Sequence, residues 1–168
     1  IYELIQPCAE YPYGAVVEEC ISGVELRDAC SSLTSSQKQQ IGKTLAEFVY
    51  EVHNSGAVGS KEDEMNINLS KYDRSLGILR EHIDDKTFDK LVTLKQDYKN
   101  LMENKDFCIT HGDLNAGNIM INSDGGVSGV IDFANMEYYI PEIEFVHMYF
   151  FDREIYDAMV ENYPGDID

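Results

Sequence analysis

A chain of 168 residues, 43% of them hydrophobic, is long enough to bury about two-thirds of its unfolded surface and reads as one globular unit. Its formal charge of −18 repels phosphate backbones and so argues against nucleic acid as a partner. Cys8, Cys20, Cys30 and Cys108 lack C-x-x-C spacing, the four histidines form no H-E-x-x-H, and no apolar run spans a bilayer; the expectation is a cytoplasmic protein with reduced thiols, no zinc site and no membrane partner.

From the N-terminus, Ile1 to Ile5 is apolar and β-leaning, Pro7, Pro12 and Gly14 make a loop, and Ala15 to Ile21 reads as a second strand, so the two predict a hairpin. Thr34 and Gln37 fit a capping box, and Ile41, Leu45, Phe48, Val49 and Val52 fall on one face of the helix that follows, which ends before Gly56. His53, on its last turn, suits a core or capping role. Between Ala57 and Asp106 the chain is polar and charge-mixed. The run Glu62-Asp63-Glu64 reads as loop, and helices are predicted from about Leu69 to His82 and from about Thr87 to Asn104. In the second of these, Phe88, Leu91, Lys95, Tyr98 and Met102 keep the spacing of one packed face.

The stretch from Phe107 to Phe133 carries the chemistry. It predicts a strand at Phe107 to Thr110, a polar loop from His111 to Asn118, and strands at Ile119 to Ile121 and Val127 to Ile131 joined by a turn containing Asp124-Gly125. A hairpin of that kind sets Asp132 at its exit beside the loop at its entrance. Asp113, Asn118 and Asp132 offer hard oxygen donors, which suit Mg²⁺ or Mn²⁺. Asp and Asn in loops also serve as turn caps that need no ligand. Two helices, from about Glu142 to Phe151 and from about Glu154 to Tyr163, complete the chain.

Asp113, Asn118 five positions on, and Asp132-Phe133 fall on the phosphoryl-transfer pattern of a catalytic-loop Asp, a metal-binding Asn and a metal-binding Asp before a Phe. The segment resembles the aminoglycoside phosphotransferase and choline kinase group of small-molecule kinases in its His-Gly-Asp loop, Asn, hairpin and Ile-Asp-Phe. The resemblance implies an α+β fold: a mostly helical, protein-kinase-like C-terminal lobe over residues 24–168 with a catalytic hairpin. Residues 1–23 would be a hinge hairpin left over from an N-terminal lobe that is otherwise absent. It further implies Asp113 as base, Asn118 and Asp132 as Mg²⁺ ligands, and adenine pairing at the backbone of Glu18 and Cys20, where an ordinary edge strand is the other reading. His111 would brace the loop.

The implied activity is transfer of the γ-phosphate of ATP or GTP to a hydroxyl of a small molecule, an aminoglycoside or another amine-bearing alcohol. A non-catalytic nucleotide- or partner-binding module and a metal-dependent hydrolase are the rivals. Without the glycine-rich loop and strand Lys of the family, the expectation is a fragment inactive alone. Four positions depart from pattern. Asn115 replaces the Lys of protein kinases, Ala134 stands where they carry a Gly, and Ile140 and Glu144 replace the two Asp of the family's Asp-Pro-x-x-Asp-Leu. Glu144 is suited to keep the second one's structural role. The acidic excess favours a cationic acceptor if Glu137, Glu142, Glu144 and Asp152 line the cleft, and only solubility if they face outward.

Overall fold

Thr34 starts the helix on which the lobe is built. Its side chain accepts from the Gln37 amide while Gln37 Oε1 accepts from the Thr34 amide at 2.9 Å, the reciprocal box that satisfies two orphan donors. The helix, α2 (Ser35–His53), buries Ile41, Leu45 and Val49 completely or nearly so. The computed structural model describes residues 3–9, 12–13, 15–17 and 19–167. Before α2 come β1 (Glu3–Ile5) and β2 (Ala15–Val17), an antiparallel pair with Leu4 opposite Val16, then β3 (Val24–Glu25) and the short α1 (Leu26–Ala29). Downstream lie α3 (Lys61–Leu79), α4 (Asp85–Glu103), β4 (Cys108–Thr110), β5 (Ile119–Ile121), β6 (Val127–Val130), β7 (Glu137–Tyr139), α5 (Ile143–Phe151) and α6 (Arg153–Asn162).

Among the described residues the strands form three small antiparallel sheets, ordered β1-β2, β3-β5-β6 and β4-β7. The core lies where α2 and α6 pack against the central hairpin and α5. Leu26, Leu45, Leu114, Ile119, Met148, Ile155 and Met159 are fully buried there. Gln37 has a second task, since its Nε2 donates to the Asp124 carbonyl at 2.9 Å and so pins the tip of the β5–β6 hairpin to the start of α2.

Most predicted elements are present, with two corrections. The acidic run Glu62-Asp63-Glu64 is the first turn of α3, which starts at Lys61 under a Ser60 cap (Asp63 amide to Ser60 Oγ, 3.1 Å). Carboxylates there complement the positive end of the helix dipole, so a polar run that looks like loop is helix. Strands β3 and β7 were not foreseen. They are two and three residues long and exist through their partners: β3 pairs with β5, and β7 pairs with β4 in the register Cys108 to Tyr139.

Candidate active site

The loop between β4 and β5 is anchored in the core and presents its polar residues outward. Leu114 is fully buried and Ala116 nearly so, and the Ala116 carbonyl accepts from the Arg27 amide at 3.1 Å. His111, fully buried, ties the loop to the hairpin exit. Its Nδ1 accepts from the Asp113 amide at 3.3 Å, so the ring is the neutral tautomer whose Nε2–H donates to the Ile131 carbonyl at 3.0 Å. Burial lowers its pKa and favours that neutral form. The bracing role expected of His111 is the geometry observed. Gly112 has φ +77°, and a Cβ there would strike the Asn135 carbonyl, so a side chain is excluded on both counts.

Asp113 is half-buried and held through both carboxylate oxygens. Asn115 Nδ2 donates to Oδ1 at 2.8 Å, Asn118 Nδ2 to Oδ2 at 3.3 Å and to the Asp113 carbonyl at 2.9 Å, and Asn135 Nδ2 approaches Oδ2 at 3.5 Å. Three neutral amides thus fix the carboxylate without neutralising it. With its Nδ2 committed to Asp113, Asn118 directs Oδ1 the other way, as a metal ligand must. The Asn118 carbonyl accepts from the Ile131 amide at 2.9 Å, which carries the hairpin pairing one step past β5 and β6 and sets Asp132 next to it.

Asp132 is exposed and is the one non-glycine at positive φ among the described residues, at φ 65° and ψ 66°. That conformation costs on the order of 1 kcal/mol or more and survives only where the surroundings dictate it. They do so on both sides: Ile131 is bonded to Asn118 and His111, and the Phe133 ring lies 4.7 Å from the His111 ring and 6.2 Å from that of Phe48. The hairpin thus brings the backbone of Asp132 beside Asn118 and the loop that carries Asp113. Among the described residues no group of three or more His, Cys, Asp or Glu converges as a cage. Asn118 and Asp132 still fit Mg²⁺, which takes one or two protein oxygens and completes its shell from phosphates and water.

Glu144 holds the loop from below. It is buried, and its Oε1 accepts the backbone N–H of His111 and that of Gly112, the latter at 3.1 Å. Burial raises its pKa to about 7 even though both N–H donors pull it down. The carboxylates proposed from sequence as a cleft lining are otherwise engaged. Glu142 pairs with Lys105 at 2.7 Å, and Asp152 pairs with Lys38 at 2.6 Å and caps α6 through the Glu154 and Ile155 amides. Glu137 is half-buried, its pKa raised by burial and by Glu64 of α3. A contact that sequence reasoning missed is His147, on α5, whose Nε2 lies 3.6 Å from Asp113 Oδ1. No periodicity or spacing signals it, because the pair is joined only by tertiary packing. Of the nucleotide contacts, Glu18 lies outside the described residues, and Cys20 is exposed in the irregular stretch between β2 and β3.

A helical lobe with a clamped Asp-Asn-Asp loop on a hairpin is the kinase-like fold, and solved structures bear this out. The GDP complex of wild-type aminoglycoside 2'-phosphotransferase-IIIa superposes with a TM-score of 0.64 at 18% identity, covering 95% of this chain and 59% of that one. The ADP-bound aminoglycoside phosphotransferase APH(2'')-Ib gives 0.62 at 18% identity, with 89% and 54% covered. APH(3'')-Id from Streptomyces rimosus, in complex with ADP and streptomycin, gives 0.59 at 15%, with 89% and 63% covered. The chain thus spans 54 to 63% of the length of these structures. No curated protein matches it. The model of the phosphotransferase enzyme family matches residues 1–165, and the chain belongs to that family.

Proposed function

We propose that the protein containing this chain transfers the γ-phosphate of ATP or GTP to a hydroxyl of a small amine-bearing molecule such as an aminoglycoside. The observation that carries this is the Asp113 carboxylate, held at both oxygens by neutral amides beside Asn118 and an Asp132 locked in a left-handed conformation. A carboxylate so fixed is oriented before substrate arrives. Asp113 accepts the acceptor's hydroxyl proton as the oxygen attacks the γ-phosphorus; the bond to the β-phosphate oxygen breaks and the nucleoside diphosphate leaves. Asn118 and Asp132 hold Mg²⁺, which supplies charge neutralisation at the phosphates. The backbone at Glu18 and Cys20 pairs with the base. Residues 1–23 form the hinge side and residues 24–168 the catalytic lobe, in the cytoplasm.

The test uses the whole protein with Mg²⁺ and either ATP or GTP against kanamycin, gentamicin, streptomycin, choline-like amines, homoserine and neutral sugars, with products read by mass. One phosphoryl group gained by an amine-bearing acceptor is the expected result. Nucleotide binding without product identifies a non-catalytic module instead, and equal nucleotide breakdown with and without acceptor identifies a hydrolase.

A further inference from the structure

Helix α5 meets the catalytic loop twice. At depth, the buried carboxylate of Glu144 grips the loop backbone at His111 and Gly112. One turn further along the same face, His147 reaches the carboxylate of Asp113, with Nε2 3.6 Å from Oδ1. The two contacts differ in exposure: the Glu144 side is closed, whereas the His147 side chain is 46% exposed and that of Asp113 29%. The loop side of Asp113 is filled by Asn115, Asn118 and Asn135, so the open side is the one shared with His147.

A brace for the loop is already supplied by Glu144, His111 and three amides, and a half-exposed ring adds little to packing. The separation is itself informative, since 3.6 Å is beyond a direct N–H···O bond of about 2.7–3.2 Å. An oxygen to one side of the line joining Nε2 and Oδ1 can lie at ordinary hydrogen-bond distance, about 2.8 Å, from both. A hydroxyl placed there would donate its proton to Asp113 Oδ1, accept from the imidazole N–H with one lone pair, and keep the other for the phosphorus.

Resting on the phosphotransferase reading above, we propose that His147 binds the acceptor: it holds the reacting hydroxyl against Asp113 Oδ1, and so belongs to the acceptor site and not to the nucleotide site. The substrate class it recognises is an alcohol, through the oxygen that becomes phosphorylated.

The experiment is steady-state kinetics of the whole protein with kanamycin, gentamicin and streptomycin as probe acceptors, comparing wild type, His147→Ala and His147→Gln. Loss of a hydrogen bond to the reacting oxygen should lower kcat/KM for the acceptor about tenfold or more in His147→Ala, with KM for the nucleotide unchanged. Gln carries an N–H at similar reach, so His147→Gln should recover most of that loss. Equal acceptor kcat/KM in wild type and His147→Ala overturns the proposal. So does a parallel rise in nucleotide KM, or a loss that Gln does not restore, either of which assigns His147 to the loop's structure. A wild-type protein that phosphorylates none of the three probes overturns the phosphotransferase reading for aminoglycosides and the inference with it, a result distinct from an active wild type indifferent to His147.

Discussion

The lobe around the catalytic loop and the α3–α4 hairpin are built to different standards. Where α2 meets α6 and the β5–β6 hairpin, Ile41, Leu45, Ile155 and Met159 have no exposed surface. Helices α3 and α4, with 19 residues each, bury only Met65, Leu76 and Met102, none of them completely, and leave Ile78, Leu94 and Leu101 more than half exposed. The hairpin is joined to the rest through polar contacts such as Tyr98 to Tyr139 (2.9 Å) and Lys61 to the Lys105 carbonyl (2.6 Å). Close packing transmits position, so the tight half can hold Asp113 and Asp132 in place. A loosely packed helical pair beside β7 is free to differ between relatives without disturbing that geometry.

Deleting side chains should break the comparison most visibly. Leu45→Ala opens a hole in the closed interface and should cost about 2–5 kcal/mol, whereas Leu94→Ala should fall within about 0.5 kcal/mol of wild type. Urea unfolding of both variants measures the difference; equal losses would mean that the two regions are packed alike.

A smaller effect has opposite signs in the two regions. A Cβ at Gly42 of α2 would lie 2.5 Å from Ala158 Cβ and 2.6 Å from the Ile155 carbonyl, so Gly42→Ala should destabilise by about 1–3 kcal/mol. Nothing lies within 4 Å of the same position at Gly77 in α3, and Gly77→Ala should stabilise by roughly 0.5–1 kcal/mol through helix propensity alone.

Titration sharpens the contrast within the tight half. Glu144 carries a carboxyl raised by burial from 4.5 to about 7; between those values the unfolded chain has lost a proton that the folded chain keeps, so stability falls as pH rises. His53, whose Nδ1 is 2.7 Å from the Tyr163 hydroxyl, is pushed down by burial from 6.5 to about 4, and between those values its contribution rises with pH. The two oppose each other from 4.5 to 6.5. Glu144→Gln should leave His53 unopposed, so that the melting temperature climbs with pH over this window by on the order of 2–4 °C more than in wild type. An unchanged slope would show that Glu144 is ionised throughout.

Sequence reading recovered what local pattern encodes. The capping box at Thr34 and Gln37, the Asp124-Gly125 turn and the packed face from Phe88 to Met102 were all visible because each depends on residues within a few positions. It missed features decided at a distance. The start of α3 was hidden because acids suit a solvated loop and a helix N-terminus equally. The β3 and β7 strands have too few residues to show alternation. The facing of Glu142, Glu144 and Asp152 was set by Lys105, the loop amides and Lys38, none of them near in sequence. The site divides the same way: Asp113, Asn118 and Asp132 stand in one motif, whereas His147 arrives from another helix.

The central assignment, Asp113 as the group that receives the acceptor's proton, is tested most directly by Asp113→Asn in the whole protein, measuring turnover and nucleotide affinity side by side. The substitution keeps the shape and the hydrogen-bonding reach to Asn118 while removing the base. Turnover should fall about a hundredfold or more with nucleotide affinity in Mg²⁺ retained. Turnover within a few-fold of wild type, or equal loss of turnover and nucleotide affinity, would contradict the assignment.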